Sequence, residues 1–74
     1  EANLYPNPAN SHINVSSLSI IDRVQITNVL GQVVMTKEIG ANGANINIES
    51  LEAGNYFVTI YTNQGVATKK LLVK

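Results

Sequence analysis

The chain has no cysteine and no tryptophan, one histidine (His12), one aspartate (Asp22) and two prolines. Without cysteine neither a disulfide nor a thiolate metal site can form, so a secreted form must stand on its core alone. One histidine without cysteine excludes the usual zinc ligand sets. Calcium sites want several carboxylates, and the ten asparagines offer only weaker neutral oxygens. No stretch approaches the roughly 20 apolar residues of a membrane helix, and the first residues lack a signal-peptide pattern. The chain starting at Glu1 is therefore expected to be a piece cut from something longer. A glycine-rich phosphate loop is absent, and lysines on one terminal strand do not make a nucleic-acid-binding face.

Catalytic material is equally scarce. Catalysis needs a base, a nucleophile or acid, and a means of holding them. His12 and Asp22 stand ten residues apart, with His12 on the outward face of its expected strand. Any hydroxyl-rich β-protein permits a Ser/His/Asp set of that kind to be written down. Glu49 and Glu52 flank a turn with no apolar wall to raise a carboxyl pKa. Asn14-Val15-Ser16 matches a glycosylation sequon, a weak signal in mid-strand. The expectation is a chain with no catalytic, cofactor-binding or metal-binding residues and no small-molecule substrate.

Seventy-four residues make one domain, and a chain of that size buries only about 60% of its unfolded surface, so its core is thin. With 45% hydrophobic and 14% charged residues it is too apolar for disorder. Val, Ile and Thr together number 21, and no window carries the i, i+3, i+4, i+7 stripe of a helix. Period-2 alternation places Ile13 and Val15 inward on one strand and Val24 and Ile26 inward on another, with Leu18 to Ile21 a crossing segment between them. Leu30-Gly31 reads as a tight turn into the returning strand Gln32 to Glu38. Gly40 to Gly43 reads as a loop with an Asn-Gly turn signal, followed by a strand over Asn45 to Ile48. Asn63-Gln64-Gly65 closes a hairpin onto the last strand, Val66 to Lys74. Six or seven short strands at this spacing predict an all-β fold, a single small immunoglobulin-like antiparallel β-sandwich of about seven strands.

The most aromatic and β-branched run is Leu51 to Thr62. Tyr56, Val58 and Ile60 share one face of it, and Phe57, Thr59 and Tyr61 the other. Leu51, Gly54 and Tyr56 have the spacing of a tyrosine corner, in which the hydroxyl bonds to backbone just upstream and pins an arch between two sheets. Charge is uneven. Residues 1–52 carry two basic and five acidic side chains, a net of −3, and residues 53–74 carry three lysines and no acid, a net of +3. Lysines on a terminal strand commonly guard an edge against aggregation, and they also offer a handle to a partner.

Three landmarks together resemble one family. They are Leu4-Tyr5-Pro6-Asn7-Pro8-Ala9-Asn10, Val24-Gln25-Ile26-Thr27-Asn28 running into Gly31-Gln32-Val33-Val34, and Leu51-Glu52-Ala53-Gly54-Asn55-Tyr56-Phe57-Val58 before a lysine-rich end. Each is weak alone; their order and spacing over almost the whole chain is similar to the C-terminal sorting domain (type A) of proteins secreted by the type IX, or Por, system of Gram-negative bacteria. The resemblance implies a non-catalytic signal on a larger exported protein, covering residues 1–74. It implies passage through the periplasm, with shuttle proteins, to an outer-membrane translocon that recognises the domain and passes the cargo to the surface or medium. It further implies a cell-surface sortase that removes the domain, with the cargo anchored or released. Pro6, Asn7, Pro8, Gly31, Gly54 and Tyr56 match the family motifs and also have structural readings. Lys69, Lys70, Leu72, Val73 and Lys74 match the terminal strand and are the residues expected to be recognised. The first strand, tethered by Pro6 and Pro8, is a candidate for exchange with a second copy in a weak homodimer. The alternative is an accessory binding or adhesion sandwich of a secreted enzyme, which would need an aromatic platform from Tyr5, Phe57 and Tyr61. A plain spacer is the third reading.

Overall fold

The computed structural model describes residues 2–74, and among them it contains strands and turns but no helix. The strands are β1 (Ala2–Tyr5), β2 (His12–Asn28), β3 (Val33–Asn47), β4 (Gly54–Thr62) and β5 (Gly65–Val73). All their pairings are antiparallel, so the all-β antiparallel class read from the alternation is the one observed. Five strands replace the expected seven or so because the two expected breaks, at Leu18 to Ile21 and Gly40 to Gly43, are bends inside continuous strands.

β2 and β3 form one hairpin, 17 and 15 residues long, in which β3 follows one side of β2 from Asn47 opposite His12 to Val33 opposite Thr27. The other side of β2 is divided. β1 takes its first half, with Leu4 opposite Val15, and β4 its second, with Val24 opposite Ile60. β5 pairs only with β4 among the named strands. The register slips between Ser16 and Arg23, where Leu18 and Ile20 turn out to solvent and Ile21 turns in. Backbone at such a bulge loses ladder partners. Asn42 supplies one substitute, its side-chain amide donating to the carbonyls of Ser17 (3.3 Å) and Leu18 (3.1 Å). Asn42-Gly43 is therefore part of the bend in β3 and makes no turn of its own.

The bend wraps both halves of the hairpin around one core. Ile13 and Val15 come from the first half of β2, Val24 and Ile26 from the second, Val58 and Ile60 from β4, and Leu71 and Val73 from β5. Each is at most 2% exposed. Every buried side-chain polar atom among the described residues has a hydrogen-bond partner, as a thin core requires. A chain of this length has of order 4–11 kcal/mol of total stability. Ile60→Ala is expected to remove about 2–5 kcal/mol of it. Leu18→Ser, at an 89% exposed position, is expected to cost less than about 0.5 kcal/mol. Urea midpoints of the two variants measured side by side check both.

Candidate functional site

The terminal strand divides its residues between two faces. Leu71 lies opposite Tyr56 and Val73 opposite Gly54, both side chains buried in the core. Lys70 lies opposite Phe57 and Leu72 opposite Asn55 on the outward face, with Leu72 37% exposed. Lys69, Lys70 and Lys74 are all exposed. Of the five residues expected to be recognised, Val73 is thus a core residue, and Lys69, Lys70, Leu72 and Lys74 are open to a partner.

The Pro6-Asn7-Pro8 motif is docked on the outer edge of this strand. Proline has no N–H to give to a ladder. Asn7 solves the problem with its side chain, which carries one donor and one acceptor group as a backbone residue does. Its Nδ2 donates to the carbonyl of Lys70 (2.8 Å), and the Leu72 N–H donates to its Oδ1 (3.1 Å). Ala9 continues the line. Its N–H donates to the Leu72 carbonyl (2.9 Å), and its own carbonyl accepts from the Lys74 N–H (2.8 Å). Ala9 and Val73 form a parallel bridge, and Ala9 is buried. The Tyr5-Pro6 and Asn7-Pro8 peptide bonds are both cis. Two prolines so close together confine this segment to a sheet edge or to the space between sheets, and it lies along the edge of β5.

Tyr56 makes the corner. Its hydroxyl donates to the Glu52 carbonyl at 2.7 Å, four residues upstream, while its ring is buried opposite Leu71. Gly54, at φ 153°, opens β4 in a conformation that a side chain rarely adopts. Gly31, at φ 84°, closes the β2–β3 turn. Asn28, which sequence reasoning did not single out, holds that turn: its Oδ1 accepts from the N–H groups of Leu30 (2.9 Å) and Gln32 (3.0 Å). The Gly31 N–H donates to its carbonyl (3.0 Å). An Asn at a strand end three residues before a Gly is the signal that could have found it.

The other candidates do not converge. Phe57 and Tyr61 share the outward face of β4, and Tyr5 stands on β1 opposite Asn14. The Arg23 guanidinium sits 3.9 Å over the Tyr61 ring, covering the face that a ligand would stack on. His12 is exposed, with its Nδ1 3.0 Å from the neighbouring Ser11 Oγ. Glu49 accepts from Asn47, and Glu52 contributes a backbone carbonyl to the corner. Among the described residues no three His, Asp or Glu side chains form a metal-sized group.

The latch and the corner give separate expectations. Asn7→Ala removes two hydrogen bonds at a partly solvated edge, an expected loss of about 1–3 kcal/mol. It also frees the Leu72 amide, whose hydrogen exchange is expected to accelerate far more than that of Ile60. Tyr56→Phe keeps the ring and drops one bond, costing about 0.5–1.5 kcal/mol. Thermal unfolding and site-resolved amide exchange read these effects.

Residues 3–74 match the secretion system C-terminal sorting domain family. No curated protein matches the chain. Among solved structures, PorZ, a surface component of the type-IX secretion system of Porphyromonas gingivalis, is similar in fold, with a TM-score of 0.73 over 99% of this chain. The identity is 17% and the chain spans 11% of that protein's length, so the likeness is one of fold. The family match leaves out only the first two residues, and the chain belongs to the type IX C-terminal sorting domains that its three landmarks resemble.

Proposed function

We propose that this domain is a folded address label read at the outer-membrane translocon, with shuttle proteins delivering it through the periplasm. A cell-surface sortase then removes it, and the cargo is anchored or released. The observation that carries this reading is the family match across residues 3–74, which includes the terminal strand and the segment latched to it. Sorting domains of this family send cargo across the outer membrane and are not themselves catalysts. Lys69, Lys70, Leu72 and Lys74 are the residues that meet the machinery, because they are exposed and the core does not need them. Val73 acts indirectly, by seating the strand in the core. Pro6, Asn7, Pro8, Gly31, Gly54 and Tyr56 hold the presented shape.

An adhesion module is less well supported, since Tyr61 is covered by Arg23 and Tyr5 stands on a different strand from Phe57. Exchange of β1 between two copies is favoured by its four residues of edge pairing and the proline segment that follows. Solution scattering that stays monomeric at high concentration would remove that idea.

Fusion of residues 1–74 to a soluble periplasmic reporter in a type IX-competent host is expected to carry the reporter to the cell surface or medium. A reporter retained in the periplasm with the domain folded overturns the reading. Reversing Lys69 and Lys70 to glutamate is expected to stop export while the melting temperature moves by less than about 4 °C, the shift of a surface change of about 0.5 kcal/mol in a domain this small.

A further inference from the structure

The turn at the end of the β2–β3 hairpin carries side chains that its geometry does not require. Asn28 and Gly31 satisfy the backbone of the turn, and the two positions between them project into solvent, where most turns carry polar residues. Here they are Val29 and Leu30, 66% and 80% exposed. Beside them Phe57 and Leu72 also show large apolar surface on the outward face of β4 and β5. Val29, Asn55, Tyr56, Phe57 and Lys70 line one cleft of about 260 Å³. Leu72, two residues on from Lys70 and opposite Asn55, flanks it. Exposed apolar side chains gathered around a concavity mark an interaction surface.

Charge identifies the occupant. Lys70 is the single ionisable side chain at the cleft apart from the Tyr56 phenol, and no acid lines it. Residues 53–74 as a whole carry three lysines and no acid. We infer that the cleft between Val29, Phe57 and Lys70 receives one bulky apolar side chain of a partner protein, carried on a segment whose flanking carboxylates meet Lys70. The inference rests on the sorting-domain reading only for its biological setting and gives the chemistry of the partner that the domain meets. A peptide fits better than a lipid surface, because the cleft is concave, with the exposed polar Asn55 in its lining, and a bilayer would touch only the tip of the turn.

The test uses the isotopically labelled chain and two capped peptides, Glu-Glu-Phe-Glu-Glu and Lys-Lys-Phe-Lys-Lys, with phosphatidylcholine–phosphatidylglycerol vesicles as a third arm. The acidic peptide is expected to shift the amides of residues 28–30, 55–57 and 70–72, and the basic one to bind at least about tenfold more weakly, the factor that 1.4 kcal/mol gives. A Val29→Ser/Leu30→Ser variant keeps the Asn28 and Gly31 turn and is expected to lose binding with an unchanged melting temperature. Lys70→Gln is expected to remove the preference for the acidic peptide. Equal binding of both peptides, shifts scattered elsewhere, no response at millimolar peptide, or a response to vesicles alone would overturn the inference. In the export fusion the Val29→Ser/Leu30→Ser domain is expected to stay folded and fail to leave the periplasm, and normal export of that variant also overturns it. Failure of the unaltered domain to export would instead count against the sorting reading, leaving the peptide titration to decide the cleft.

Discussion

Every strand of this domain is hydrogen-bonded to β2, directly or through β4. That single 17-residue strand sets the register of β1, β3 and β4 and, through its bend, the direction in which each faces the core. A one-residue slip along it would turn Ile13, Val15, Val24 and Ile26 to the solvent together. One long hairpin, bent in both of its strands, gathers its apolar side chains with those of β4 and β5 into one core.

The alternation of apolar and polar residues carried most of this. Ile13, Val15, Val24, Ile26, Val58 and Ile60 face inward as their spacing requires. The Tyr56 corner follows from a Tyr placed two residues after a Gly at the start of a strand. Strand continuity was not legible. Exposed Leu18 and the Asn-Gly pair at 42 and 43 look like breaks when read locally, and the hairpin continues because pairing resumes on either side of the interruption while the Asn42 side chain bridges it. Such pairing is a non-local property, and no propensity reports it.

The same limit applies to the candidate functional region. Pro6, Asn7 and Pro8 stand out as a motif, and Lys69 to Lys74 as a charged end, but nothing in the spacing says that they touch. They meet because Asn7 and Lys70, 63 residues apart, are brought together by the folding of everything between them. The split of the terminal strand into core residues and exposed ones was half visible, since Leu71 and Val73 alternate with Lys70 and Leu72. Family membership narrows what this arrangement is for.

The latch also has a mechanical side. Residues 7–9 and 70–74 run parallel where they meet, so the chain approaches the contact from one end and departs from the other. A pull that draws the two ends of the domain apart therefore slides one segment along the other. All four hydrogen bonds between Asn7, Ala9 and the terminal strand take up the load together, where an antiparallel pair pulled from one end would open a bond at a time. A domain dragged by one end with a cargo at the other would carry that tension across its edge, and its thin core would bear little of it.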